Sequence, residues 1–282
     1  METIRASIGI EQMQAKTDVE QLFAAVNLGS AAAVVGDPSN VAYRRLYNWF
    51  AVNTGKLAPS GYRVASNDDY TALVDHLSNE YDIPNTNTAG GAGNKLKSCR
   101  QVSSPLGGAC ATSTHPRWNS NATHYGANDF GFSNLPGGYR ATNGSYSSQG
   151  AVSLLWVAGE FSGFDASMKR SWNTTGDLNS TADYKWYGFS VRCVRDAGIN
   201  ETGYTDGTIV EKVEDVDGNI YDGVKIGSQV WLAQNLAVTK LNDETPIDNI
   251  DVNADWAALY SAYSTSPAYC NYGNTTTNVF LT

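Results

Sequence analysis

An α+β fold of short helices, a twisted antiparallel sheet and long loops is what this 282-residue sequence predicts. Three observations lead there. Apolar residues recur at helical spacing in short segments that must pack on something else to be stable. Other segments alternate apolar and polar residues between Gly-containing turns, the pattern of strands and hairpins. The stretch from about 84 to 150 is rich in Gly and Asn and lacks a period, so it reads as long ordered loops, where binding commonly sits.

From the N-terminus, a first helix starts after Thr17, with Glu20 completing a capping box and Val19, Leu22, Phe23 and Val26 on one face. Gly36-Asp37-Pro38-Ser39-Asn40 closes this piece, and residues 1–40 read as separate from the rest of the chain. A second helix repeats the design: Ser66 caps, Asp69 answers, and Tyr70, Leu73, Val74 and Leu77 form the stripe. Tyr187 to Arg195 alternates Phe189, Val191 and Cys193 against Ser190 and Arg192, a strand with one buried face. Residues 197–204 have no period and read as a linker. Ile209–Val213 leads to Asp215–Tyr221, within which Asp217-Gly218 is a two-residue hairpin turn. Val224-Lys225-Ile226 and Gln229–Leu232 flank Gly227-Ser228 in a second hairpin. A third helix around Asp255–Tyr263 sets Trp256, Leu259, Tyr260 and Tyr263 on one side.

Composition narrows the function. Hydrophobic residues make up 41% but charged ones only 17%, below the roughly 25% of an average soluble domain. A net charge of −9, from 19 Lys+Arg against 28 Asp+Glu, repels phosphate and argues against nucleic-acid binding. The remainder is rich in Gly, Tyr, Trp, Asn, Ser and Thr, a polar, aromatic-faced mixture suited to an adhesive extracellular module. No apolar run is long enough to span a membrane. The first residues, Met1 to Ser7, lack the basic and apolar regions of a secretory signal peptide, so none is expected.

Tests for chemistry mostly fail. Gly90-Gly91-Ala92-Gly93-Asn94-Lys95-Leu96 lacks the Gly-Lys-Ser/Thr ending of a phosphate loop and reads as a flexible turn. Asp215-Val216-Asp217-Gly218-Asn219 opens like a calcium loop, but its Gly comes too early and no Glu stands at the twelfth position. His76, His115 and His124 lack the spacing of a helical zinc site, and no Gly-x-Ser-x-Gly elbow is present. No catalytic residue, metal site or cofactor is expected. Cys99, Cys110, Cys193 and Cys270 match no zinc pattern, which favours disulfides. Cys99 and Cys110 bracket a Pro- and Gly-containing loop that can fold back and join them. The alternative is four reduced, buried thiols.

Several phrases together carry a family resemblance: Arg45 to Val64, beginning Arg-Leu-Tyr-Asn-Trp-Phe; the capped helix after Ser66; Asn94–Ser98; Gly131–Arg140; Tyr187–Asp196; Asp215–Tyr221; Val224–Leu236; and Ala268–Tyr272. They span most of 41–282. The chain resembles the Fibrobacter succinogenes major paralogous domain, a family that looks like a branch of the C-type lectin-like fold. Their order departs from the family's, whose Asp-Gly-Asn hairpin and Trp-Leu-Ala-Gln-Asn-Leu segment come first and whose Val-Arg-Cys-Val-Arg strand comes last. The resemblance therefore implies one permuted domain over 41–282, its parts 41–196 and 207–282 joined by the linker 197–206, or an exchange of the C-terminal segment between copies. It also implies that Cys193 and Cys270 meet in a second disulfide.

Lectin-like display proteins often carry their variable surface just before the terminal strand, which makes Trp172, Asn173, Asn179, Tyr184 and Trp186 the ligand-binding candidates; for Trp186 and Tyr187 a place in the core is an equal expectation. Such a module with no export signal fits a non-enzymatic bacteriophage virion protein, a fibre, decoration or tail-associated component. Residues 1–40 would then attach to capsid or tail proteins, and the lectin-like domain would bind a host-surface glycan or protein. Homo-oligomerisation, for instance as a trimer, would raise avidity. The alternatives are a bacterial cell-surface adhesin, a purely structural virion connector, and an oxidase related to the formylglycine-generating enzymes, which share the fold.

Overall fold

The computed structural model describes residues 42–275. The helix after Thr17 and the expected attachment segment 1–40 lie outside the described residues. The chain enters through β1 (Arg45–Tyr47) and turns at once into α1 (Trp49–Asn53). Asn48 makes that turn. Its carboxamide oxygen accepts from the backbone N–H of Ala51 and of Ala268, and its amide donates to the Ser266 carbonyl. One side chain thus caps a helix and docks a segment 220 residues further on. After β2 (Arg63–Val64) comes α2 (Asn67–Tyr81), which carries the expected capping box between Ser66 and Asp69 and buries Tyr70, Leu73 and Leu77.

The stretch 84–150 is ordered differently from the expectation. Gly91 to Leu96 is no flexible turn. Ala92–Leu96 forms the short helix α3, and a Cβ on Gly93 would lie 2.2 Å from the Asp177 carbonyl oxygen, so only glycine allows that approach. The fully buried Lys97 donates to the Asn94 side chain and to the His124 and Thr175 carbonyls, tying three loops together. Burial lowers its pKa to about 7, partly opposed by Asp177. Cys99 and Cys110 form the expected disulfide. The loops end in the paired two-residue strands β3 (Tyr139–Arg140) and β4 (Tyr146–Ser147).

Next come the long hairpin of β5 (Val152–Glu160) and β6 (Asp165–Trp172), then β7 (Asn179–Tyr184), β8 (Ser190–Val191) and β9 (Cys193–Asp196). The last part of the chain supplies β10 (Ile209–Glu214), β11 (Ile220–Ile226), β12 (Gln229–Leu232), β13 (Asp248–Asn249), α4 (Asn253–Ser261) and β14 (Ala268–Asn271). Three larger sheets result, in the orders β10-β11-β12-β9-β2, β7-β6-β5-β8 and β1-β14-β13. Pairing is antiparallel except between β5 and β8 and between β13 and β14. The C-terminal segment is therefore built into the body: β12 lies between β11 and β9, and β14 pairs β1.

The second hairpin forms as expected, with Gly227-Ser228 between the paired Ile226 and Gln229. The first has a longer connection than Asp217-Gly218. The Asp215 carboxylate turns inward and accepts from the N–H groups of Asp217 and Asn219 and from the Tyr221 hydroxyl, so the strands pair only from Glu214 and Ile220 onward.

The expected one-faced strand at 187–195 is buried on both faces and broken at Arg192, where the chain passes from one sheet into the next. The fully buried Arg192 guanidinium donates to the Phe132, Ser133 and Leu232 carbonyls and to the Asn235 side chain. Its four acceptors come from two separate stretches of sequence, and burial lowers its pKa to about 10. Alternation alone placed this residue at the surface; a guanidinium with every arm satisfied goes inside.

The second expected disulfide is not formed. Cys193 and Cys270 are both free and buried. Neighbouring residues of β14 point to opposite faces, so Tyr269 enters the main core with Cys193 while Cys270 packs with Leu46 and Trp256 behind it. The segment expected as a linker is held at several points. Ile199–Glu201 is a 3-10 turn, Glu201 pairs with Arg195, and Asp206 accepts from His76, Tyr81, Lys225 and the Gly227 N–H. Burial pushes the Asp206 carboxyl up, but these donors outweigh it and hold the pKa at about 2.

Candidate functional site

The five residues singled out before the terminal strand do not form one surface. Asn179 opens β7 and Tyr184 closes it, opposite Arg170 and Asp165 of β6. At about 3.3 Å per residue they stand roughly 17 Å apart. Trp172 and Asn173 lie with Asn179 at one end of this hairpin: Trp172 packs against the main core, the Asn173 N–H donates to the Ala151 carbonyl, and Asn179 donates to Asp177. Tyr184 and Trp186 lie at the other end and meet through Tyr260, whose ring centroid is 5.7 Å from the first and 5.5 Å from the second.

That second end is where the unusual surface lies. The β5–β6 turn, Phe161-Ser162-Gly163-Phe164, puts two phenylalanines where polar residues are usual, and they are 69% and 55% exposed. Hydrogen bonds from the Phe161 and Ser162 N–H groups to the Asp165 carbonyl, and from the Phe164 N–H to the Ser162 hydroxyl, hold the turn rigidly. Across from it, the chain leaves α4 through Tyr263. This residue has φ 50°, in the left-handed region that favours glycine after a helix, and its side chain is 60% exposed. The Ser264 N–H reaches back to the Leu259 carbonyl and fixes the turn.

Phe164 and Tyr263 touch, with ring centroids 5.9 Å apart, and beside them is a cleft of about 640 Å³ with Trp49, Phe50, Phe164, Trp186 and Tyr263 in its walls. Trp186 forms the floor. It is buried, its indole N–H donates to the Ser264 carbonyl, and its ring lies 5.2 Å from Phe50, 6.3 Å from Phe164 and 5.8 Å from Tyr263. The Trp49 indole N–H is likewise bound, to the Val157 carbonyl. Both indoles therefore offer apolar ring to the cleft rather than a donor.

The polar part of the lining is mixed. Lys185 is buried over the Trp49 ring, 4.9 Å from its centroid, and pairs with Glu160 and the Gly163 carbonyl. Its charge is thereby neutralised at the site. Asn53, Thr265 and Glu160 line the same cleft, and the Asn53 carboxamide, the Thr265 hydroxyl and the second Glu160 oxygen make no hydrogen bond to a described residue. The arrangement can hold a ligand with apolar faces and hydroxyl edges. It is built from four separated stretches, at 49–54, 160–164, 185–186 and 263–267, which is why sequence reasoning reached only Trp186 of its lining. The signals it missed were two phenylalanines in one hairpin turn and a tyrosine at a helix end.

Among the described residues no group of three or more His, Cys, Asp or Glu side chains is placed to hold a metal ion, and no helix is long and apolar enough to cross a membrane. The phrases that carry the family resemblance reach the cleft only through Trp49 to Thr54 and otherwise sit in the joints of the fold: Asn48 with Ala268, Arg192 with Asn235 and Phe132. No curated protein and no solved structure matches the chain. A family profile does, over residues 12–195, reaching back into the segment that the sequence set apart. It covers well over half of the chain, which therefore belongs to the family of the Fibrobacter succinogenes major domain.

Proposed function

We propose that this protein is a non-enzymatic display protein of a bacteriophage particle, a fibre, decoration or tail-associated component that presents a permuted C-type lectin-like domain for adhesion to the host surface. The single observation that carries the reading is the group of exposed aromatic rings held by fixed turns on a β-sheet frame. Large exposed apolar rings in one cleft are uncommon on a protein surface without a ligand or partner. Aromatic side chains with Asn, Thr and Ser neighbours cover contact area at little entropic cost. The low charge of the chain and the Cys99–Cys110 bridge suit a life outside the cell. Oligomerisation would multiply weak contacts into useful avidity.

Two measurements test this. Mass spectrometry of purified particles should find the chain at stoichiometric copy number. Incubation of the purified full chain with host cells should show saturable attachment, reduced when Phe164 and Tyr263 are replaced together. Absence from particles, with recovery in the bacterial envelope, would move the protein to a bacterial surface. Presence on particles without attachment would leave a structural connector.

A further inference from the structure

The chemistry of the cleft lining narrows the kind of ligand it takes, an inference that rests on the adhesion reading. We propose that it is a metal-independent subsite for one uncharged pyranose ring of a surface polysaccharide, stacked on Phe164 and Tyr263 and read at its edge by Asn53, Glu160 and Thr265.

The aromatic rings come first. Both tryptophan N–H groups are bound to carbonyls, so the walls present ring faces. A ring face is electron-rich and suits the weakly positive C–H face of a sugar. Tyr263 occupies a left-handed backbone conformation that disfavours a non-glycine residue, and 60% of its surface remains in water. Its ring packs on Phe164, Trp186 and Tyr260, with centroids 5.9, 5.8 and 6.1 Å away, and the part left in water beside the cleft is free to act as a ligand face.

The polar rim selects for hydroxyl groups. Asn53 both donates and accepts, Thr265 does the same, and Glu160 retains an accepting oxygen, all without partners among the described residues. A sugar hydroxyl also both donates and accepts, and satisfies any of the three. Charge then separates classes of sugar. Lys185 is already paired with Glu160, so among the described residues no unpaired cation lines the cleft for a carboxylate or phosphate. The chain as a whole carries −9, which repels uronates, sialylated chains and phosphorylated glycans. The volume of about 640 Å³ lies within the ordinary range for small-ligand sites.

The test uses the full chain with tryptophan fluorescence and calorimetry. The probes are hexasaccharides of glucose, mannose, galactose and N-acetylglucosamine, with hexagalacturonate and a proline-rich decapeptide for comparison, all in EDTA. At least one uncharged hexasaccharide should bind, at least tenfold more weakly to Tyr263→Gly and to Phe164→Ala, and a few-fold more weakly to Asn53→Ala. Thermal melts of these exposed-site variants should stay close to the parent. Preference for hexagalacturonate, binding only when calcium is restored, tighter binding of the peptide, no binding of any saccharide, or affinities unchanged in the variants would each overturn the inference. The host-cell assay keeps the two readings apart. Attachment retained by both variants sinks the cleft and leaves adhesion standing. Saccharide binding without attachment to cells sinks adhesion and leaves the cleft.

Discussion

The loops of residues 92–134 and the aromatic rim at 161–164 and 263 treat their side chains in opposite ways. The first turns polar groups inward: Lys97, Gln101 and Asn134 are buried, and Arg192 reaches in to meet the Phe132 and Ser133 carbonyls. The second turns Phe161, Phe164 and Tyr263 outward into water. Polar residues lie inward in the first and aromatic ones outward in the second, so residue polarity does not say which side faces solvent. Hydrogen bonding does. A buried cation is stable where every donor finds a carbonyl, as around Arg192, and such a site specifies one arrangement of the loops. The rings of Phe164 and Tyr263 touch each other and Trp186 yet leave more than half of their surface in water, where it is open to a ligand.

The sharpest way to break this contrast is at Arg192. Arg192→Leu removes the donor from three carbonyls and from Asn235. At about 1–3 kcal/mol for each buried orphan acceptor, partly relieved by relaxation, a loss of about 3–5 kcal/mol is expected in urea denaturation. A loss under about 1 kcal/mol, no more than one ordinary hydrogen bond, would mean that the polar interior does not hold the loops. Opening the Cys99–Cys110 bridge, which closes a separation of 11 residues, should cost about 3 kcal/mol by chain entropy. Hydrogen exchange should rise first in residues 97–118.

Asp206 gives a smaller, pH-dependent effect. Its carboxyl is held at about 2 against an ordinary 3.8, so between these values the unfolded chain binds more protons than the folded one. Its stabilisation, about 2 kcal/mol, is present above pH 4 and lost as pH falls through 2. Asp206→Asn should remove it at neutral pH and flatten the acid limb of a stability–pH curve. Smallest of all should be Tyr263→Gly, with a stability change within about 0.5 kcal/mol because a left-handed backbone position gains what the exposed ring loses. A large loss there would make Tyr263 part of the core and remove it from the site.

Local signals in the sequence were reliable where a few neighbouring residues decide the outcome. The Ser66–Asp69 capping box, the Gly227-Ser228 hairpin and the Cys99–Cys110 bridge depend on short-range chemistry and are present. The third helix also forms, as Asn253–Ser261, but ends before Tyr263 because that residue takes the left-handed turn. Misplaced residues depended on distant partners. Arg192 needed acceptors about 40 and 60 residues away, at Leu232 and Phe132. The pairing of Cys193 with Cys270 failed on the facing of one strand, and the cleft draws on segments more than 200 residues apart, from Asn53 to Thr265. A periodicity read within one segment carries no information about either.

The three-residue ladder of β1 and β14 sets a direction for the whole molecule. At one end Arg45 faces Asn271, next to where the described chain enters at residue 42 and leaves at residue 275. At the other end Tyr47 faces Tyr269, and the chain continues into Trp49 and Phe50 on one strand and comes from Thr265 and Pro267 on the other, all lining the cleft. The cleft and the ends of the described chain thus lie at opposite ends of this ladder. Whatever loosens the pairing of Leu46 with Cys270 would therefore disturb the seating of Trp49 and Phe50 on one strand and of Thr265 and Pro267 on the other.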